Sequence, residues 1–230
     1  MSTSFVIPAP VIPSLPVVGD SKRFPVNRIY CVGRNYADHA REMGHDPDRE
    51  PPFFFMKPAT AIVTDGQAMS YPALSKDVHH ELEMVVALGK GGANIPVDQA
   101  LDHVWGYGLG LDMTRRDLQG EAKKMGRPWD TGKAFDQSAP CSALVPVSQC
   151  GHLSKGRIYL TVNGQVKQDG DLAMMIWNVP ETIAYLSTLF TLMPGDLIFS
   201  GTPAGVAAVQ RGDVLEGHVD GLPTLQTKIV

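Results

Sequence analysis

The chain has 230 residues, 43% of them hydrophobic, with 20 Lys and Arg against 24 Asp and Glu for a formal net charge of −4. That length and apolar share suit one large domain with a well-buried core. A mildly acidic chain without a basic block argues against nucleic acid or an anionic membrane surface as the main partner and leaves a small molecule as the expected ligand. Cys31, Cys141 and Cys150 form no CxxC pair and meet no histidine at zinc-site spacing, so neither a disulfide framework nor a thiolate zinc site is expected, and a reducing cytoplasm fits.

Residues 1–23 read as a proline-rich N-terminal extension, with Pro8, Pro10, Pro13 and Pro16 among short apolar pieces, and residues 24–230 as a single catalytic domain. The start lacks a basic n-region, so no secretory signal is expected. No run reaches the roughly 18–20 apolar residues that cross a bilayer.

Arg28–Gly33 reads as a short buried strand, and Asn35 as the cap of a helix over Tyr36–Met43 that places His39 and Glu42 on one face. A carboxylate three residues from an imidazole can orient it as a general base, though such pairs are commonly surface hydrogen bonds. The charged, proline-rich segment Asp46–Pro52 is expected to be a mobile lid, and Phe53–Pro58 a strand leaving it. A further short strand is expected at Ala61–Thr64.

The segment His79–Gly89 carries Glu81 and Glu83 at the head of an apolar run. Strand side chains alternate, so both carboxylates project from one face of an expected half-buried strand and Leu82, Met84 and Val86 from the other. Two anions side by side call for a cation between them, unless the face is simply solvated. Trp105–Leu111 reads as a second, glycine-rich strand ending at Asp112, either a third oxygen donor or a helix cap. Three carboxylates would leave roughly three positions open on an octahedral ion. The glycines at 106, 108 and 110 lack the spacing of a dinucleotide loop.

Pro96–His103 and Thr114–Gln119 suggest short helices, and Asn163-Gly164 between alternating strands a type I′ hairpin. A longer helix is predicted from Val179, with Pro180 in its first turn, and then a strand, Leu197–Phe199, before the Gly201-Thr202-Pro203 turn. Lys133, flanked by Gly132, Ala134 and Phe135, is expected to be desolvated with a lowered pKa. Thr202 offers a hydroxyl and neighbouring amides to a carboxylate. Strands dominate and helices are few, which predicts an α+β, β-rich fold.

Five motifs in this order resemble the fumarylacetoacetate hydrolase family: Cys31–Gly44, Glu81-Leu82-Glu83, Gly110–Gln119, Gly132–Asp136 and Pro194–Pro203. The resemblance runs from about residue 24 to the end. It implies a mixed β-sandwich roll with an N-terminal lid helix, a homodimer, and one Mg²⁺ or Mn²⁺ per subunit on Glu81, Glu83 and Asp112. It also implies a lid dyad of His39 and Glu42 that activates water, a catalytic Lys133, and substrate held by Gln119, Thr202, Arg34 and Arg116. Phe24–Val26, Pro51–Phe55 and Trp129–Asp136 are most similar to the fumarylpyruvate-cleaving branch of the family. The implied reaction is hydrolysis of the C–C bond of a 2,4-dioxo acid. Acylpyruvases and oxaloacetate decarboxylases share the pattern, and a catalytically silent metal-binding protein would be the reading of a different class. Ser200 and Ala207 depart from the usual residues at those positions. A second carboxylate on the substrate needs a cation, for which Arg34, Arg41, Arg116 and Arg127 are the candidates.

Overall fold

A hairpin of β1 (Ser14–Val17) and β2 (Asp20–Pro25) opens the fold in the computed structural model, which describes residues 4–37, 50–64 and 66–230. The hairpin spans the boundary drawn at residue 24. Leu15 is fully buried, and Pro16 and Val18 exchange backbone hydrogen bonds with Leu144, so the chain packs on the body from this hairpin onward.

Next come β3 (Ile29–Gly33), β4 (Phe53–Lys57) and β5 (Ile62–Thr64). A two-residue β6 (Val78–His79) leads into β7 (Leu82–Leu88). After β8 (Val104–Leu111), the short β9 (Thr114–Arg115) returns against β6 and runs into helix α1 (Arg116–Lys124), followed by the single turn α2 (Asp130–Lys133). Strands β10 (Ala139–Cys141) and β11 (Val145–Pro146) then precede the hairpin β12 (Arg157–Val162) and β13 (Gln165–Asp171). The Asn163-Gly164 turn has φ of +52° and +77°, as a type I′ turn demands. Helix α3 (Val179–Leu189) begins with a capping box between Asn178 and Glu181, and β14 (Leu197–Phe199), β15 (Val214–Val219) and β16 (Leu225–Lys228) complete the chain.

The large sheet runs β4-β3-β14-β7-β8-β10-β5, with β11 also on β8; the smaller runs β13-β12-β15-β16. Parallel pairs β3/β14 and β5/β10 sit among antiparallel ones, so the sheet is mixed. Alternation divides β7 between two cores. Leu82, Met84 and Val86 pack with Leu109 and Leu111 of β8, Ile158 and Leu160 of β12, and Ile183 of α3. Val85 and Ala87 pack with Leu15, Ile29, Cys31, Leu197 and Phe199. The strand expected to be half-buried is therefore buried at every residue, because it lies mid-sheet with a layer on each face. Each such Leu or Met contributes about 1.5–3 kcal/mol by burial, so the register of β7 is strongly fixed.

That register positions the site. Glu81 and Glu83 are in phase with Val85 and Ala87, on the face where β8 presents Gly106, Gly108 and Gly110. The helix expected after Asn35 and the lid expected at Asp46–Pro52 fall mainly outside the described residues. Asn35 itself is buried, donating to the carbonyls of Trp177 and Ser200 and accepting from the Trp177 amide.

Candidate active site

Glu83 stands opposite Gly110 in the β7/β8 register, and the Asp112 amide donates to the Glu81 carbonyl at 2.8 Å. Backbone pairing thus delivers three buried carboxylates to one place: one oxygen from each of Glu81, Glu83 and Asp112 lies within 4.8 Å of the others.

Among the described residues three cations contact them. Lys133 Nζ donates to Glu81 Oε2 at 2.8 Å, Asp112 Oδ2 at 2.6 Å and Thr114 Oγ1 at 2.7 Å. Arg116 donates to Glu81 Oε1 at 2.5 Å and to Gln119 Oε1 at 2.8 Å. Lys57, fully buried at the end of β4, lies 2.8 Å from Asp112 Oδ1 and donates to the carbonyls of Met113 and Lys133. Burial works to lower the Lys133 pKa, but the adjoining carboxylates of Asp112 and Glu81 outweigh it and raise the pKa, the reverse of the sequence-based expectation. The apolar neighbours in sequence are real; the two acids that reverse the sign arrive from other strands.

Glu83 differs. Its carboxylate accepts the Gly201 amide at 2.7 Å, and among the described residues no side-chain cation contacts it. Burial, then the charges of Asp112 and Glu81, push its pKa well above the ordinary carboxylate range. Three converging hard oxygen donors, one of them without a cation in contact among the described residues, fit a divalent cation of the Mg²⁺ or Mn²⁺ type.

Above the triad is a pocket lined by Arg34, Arg116, Gln119, Lys123 and Thr202. Close approach of α2 to α1 depends on Gly132, where a Cβ would lie 2.9 Å from the Gln119 nitrogen and Cβ; this seats Lys133 beside Gln119. Thr202 Oγ1 accepts from Gln168 Nε2 at 2.7 Å, and Gln168 Nε2 also donates to the Pro203 carbonyl at 2.8 Å. Gln168 Oε1 accepts the Leu82 amide at 3.0 Å and lies 3.0 Å from His80 Nδ1. One wall is aromatic, with Trp129 against Phe53 and Phe55 at ring distances of 5.5 and 5.9 Å.

The structure therefore brings together Glu81, Glu83, Asp112, Lys133, Arg34, Arg116, Gln119 and Thr202. Arg127 does not line this pocket: it is exposed, 3.9 Å from Glu121, and borders an adjoining cavity against Phe53, Phe55 and Trp129. His39, Arg41 and Glu42 lie outside the described residues. Three site residues escaped the sequence reading: Lys57, Lys123 and Gln168. Two had a signal. Phe53, Phe55 and Lys57 share a strand face, and Arg116, Gln119 and Lys123 recur at i, i+3 and i+7 on one helix face.

The family model for the fumarylacetoacetate (FAA) hydrolase C-terminal region matches residues 28–230, and the chain belongs to the fumarylacetoacetate hydrolase family of enzymes. Among solved structures, a fumarylpyruvate hydrolase from Pseudomonas aeruginosa in complex with Mn²⁺ and pyruvate is 52% identical, with a TM-score of 0.97 and 99% of each chain covered. Among curated relatives, the mitochondrial oxaloacetate tautomerase FAHD1 of Rattus norvegicus is 44% identical over 87% of this chain and 90% of its own length. The mitochondrial oxaloacetate decarboxylase of Dictyostelium discoideum is 42% identical over 86% and 90%. Among the described residues no helix is long and apolar enough to cross a membrane.

Proposed function

We propose that this chain hydrolyses the C–C bond of a 2,4-dioxo acid, with fumarylpyruvate as the preferred substrate and fumarate and pyruvate as products. The observation that carries the reading is the likeness, over nearly the whole chain, to a fumarylpyruvate hydrolase described with Mn²⁺ and pyruvate. The buried acidic triad supports it.

A divalent ion held by Glu81, Glu83 and Asp112 would supply a Lewis acid for the carboxylate and 2-oxo group of the substrate. Gln168 donates to Thr202 Oγ1, so the Thr202 hydroxyl keeps its own proton for an acceptor, and in this pocket that acceptor is the pyruvyl carboxylate. Lys133 Nζ, firmly protonated and with its three N–H groups on Glu81, Asp112 and Thr114, sets its positive charge beside the oxygen on which negative charge develops, with Gln119 next to it as a further polar group. His39 takes a proton from the attacking water and Glu42 steadies the imidazolium, as the family resemblance implies. Water adds at C4, the C3–C4 bond breaks with its electron pair on C3, and the pyruvate enolate is then protonated there. We propose further that the enzyme acts as a cytoplasmic homodimer with one Mg²⁺ or Mn²⁺ per subunit.

A second reading is decarboxylation or tautomerisation of oxaloacetate, favoured by the names of the relatives at 42–44% identity. Neither needs an activated water. The deciding experiment follows the ultraviolet absorbance of enolised fumarylpyruvate with Mg²⁺ or Mn²⁺, with and without EDTA, beside an oxaloacetate assay, in wild type and His39→Ala. The hydrolase reading expects metal-dependent release of fumarate and pyruvate, reduced roughly 10²- to 10⁴-fold in the variant. Turnover of oxaloacetate alone, with no release of fumarate from fumarylpyruvate, would move the assignment to the second reading, and indifference to His39 would then favour decarboxylation over tautomerisation, which needs a base at C3.

A further inference from the structure

We propose that Lys123 and Arg34 form a subsite for the second carboxylate of a dicarboxylate substrate, at the far end of the aromatic wall from the acidic triad. The inference rests on the proposed function in taking the triad end as the seat of the pyruvyl carboxylate.

The wall is a row of three rings, and each carries a cation. Lys133 Nζ lies 4.9 Å from the centre of Phe55, Lys123 Nζ 5.0 Å from Trp129, and the Arg34 guanidinium 5.4 Å from Phe53. The three cations are not equivalent. Lys133 is engaged by Glu81 and Asp112, whereas Lys123 and Arg34 have no carboxylate partner among the described residues. Among the described residues five cations, counting Lys57 behind the pocket, face the three carboxylates of the triad, and a divalent ion would add to that excess. A pocket so charged is built for an anion with more than one negative group.

Backbone placement agrees. Arg34 has φ of +57°, a left-handed conformation that is unfavourable for a residue with a side chain and tends to persist at functional sites. On α1, Lys123 lies seven residues beyond Arg116 on the same face, about 10 Å along the axis. Arg116 is committed to Glu81 and Gln119 at the triad end, so the helix offers one cation to each end of an extended substrate. Oxaloacetate, with its shorter skeleton, would reach the far end less well than fumarylpyruvate.

Electrostatics at Lys123 supports the assignment. Burial, then the positive charges of Arg116 and Arg34, bring its pKa down to about 8, with Lys133 adding to the effect and Glu81 opposing it. An anion between Lys123 and Arg34 relieves that repulsion.

The test uses the full-length Mn²⁺-loaded enzyme with fumarylpyruvate and acetylpyruvate, which lacks the second carboxylate. Lys123→Met should raise KM for fumarylpyruvate about 10- to 100-fold, the range for losing a hydrogen bond to a charged group. KM for acetylpyruvate should stay within about twofold, and Lys123→Arg should restore fumarylpyruvate. In wild type the fumarylpyruvate KM should climb as pH rises through about 8, and in Lys123→Arg it should not. Equal losses on both substrates, or none, would overturn the subsite. Should neither dioxo acid turn over, the hydrolase reading fails separately. Calorimetric binding of fumarate against crotonate then decides the subsite: selectivity for fumarate that Lys123→Met abolishes supports it, and equal binding overturns it.

Discussion

Gln168 Nε2 donates to Thr202 Oγ1 at 2.7 Å, and the far end of the same amide is held by the Leu82 N–H at 3.0 Å. A backbone N–H only donates and the Pro203 carbonyl only accepts, so the amide has one satisfactory orientation and the direction of the Thr202 hydroxyl follows. Gln168→Glu puts an acceptor where Thr202 needs a donor and turns the hydroxyl away from the pocket. We expect KM for the dioxo acid to rise about tenfold, Mn²⁺ affinity to stay within about twofold, and Thr202→Val to do the same. The double variant should be no worse than Thr202→Val alone, since both remove one donor. Steady-state kinetics and pyruvate titration read this out, and additive losses would separate the two residues.

Glu83 is the buried acid without a side-chain counter-charge among the described residues. Glu83→Gln keeps an acceptor for the Gly201 amide and removes the charge. Mn²⁺ affinity should fall by more than the roughly 10- to 100-fold that loss of a supporting outer-sphere group costs. In EDTA the variant should melt a few degrees higher than wild type, since about 1 kcal/mol corresponds to about 2–4 °C at this chain length. The pH dependence has a definite sign. A carboxyl whose folded pKa is raised contributes stability below the unfolded pKa and loses it as pH rises through the folded one. Metal-free wild type should lose that share of stability with rising pH, the Gln variant should not, and metal affinity should strengthen with pH because a proton must leave. Calorimetric melts across pH check all three.

The acidic triad was legible because period-two alternation alone places Glu81 and Glu83 on one face, and an apolar run behind them argues for depth. What could not be read was anything set by residues remote in sequence. The layers that bury both faces of β7 come from β12, α3 and the β1–β2 hairpin, so the strand looked half-exposed. The sign of the Lys133 shift depends on carboxylates 52 and 21 residues away. Gln168 is a buried polar residue in a hairpin that otherwise reads as ordinary, and only its distant partners Leu82 and Thr202 reveal its purpose. Lys123 was visible as the i+7 member of a helix face, but a charged helix face usually meets solvent.

Gly110 tests how tightly the sheet fixes the triad. It pairs with Glu83 and precedes Asp112 by two residues, and a Cβ there would lie 2.4 Å and 2.6 Å from Phe199 ring carbons and 2.8 Å from Val85 Cγ2. The Phe199 ring is fully buried and cannot swing aside. Gly110→Ala should therefore destabilise by about 1–3 kcal/mol through overpacking and weaken Mn²⁺ binding, because the displaced strand carries Glu83 or Asp112 with it. Urea unfolding and metal titration on the same preparation check both, and a normal metal affinity in a destabilised variant would uncouple the sheet from the site.

Lys57 is the support behind the triad. Its ammonium is 2.8 Å from Asp112 Oδ1, donates to the Met113 and Lys133 carbonyls, and has no exposed side-chain surface. Lys57→Met removes one cation from a buried cluster and leaves Asp112 Oδ1 without its partner while Oδ2 keeps Lys133, a loss that approaches the roughly 3–5 kcal/mol of breaking a buried ion pair. Lys57→Arg should not rescue it, because a planar guanidinium cannot replace a compact ammonium in an enclosed site. The loss should depend on metal. In the EDTA-treated variant Lys133 is the one cation left in contact with Asp112 among the described residues, whereas saturating Mn²⁺ binds the folded state and supplies charge near the same carboxylate. The stability gap between wild type and Lys57→Met, measured by urea unfolding, should therefore narrow when Mn²⁺ replaces EDTA. A gap that stays the same or widens would mean that Lys57 serves the metal-bound site itself, holding Asp112 in its ligating position, and not merely the charge balance of the metal-free protein.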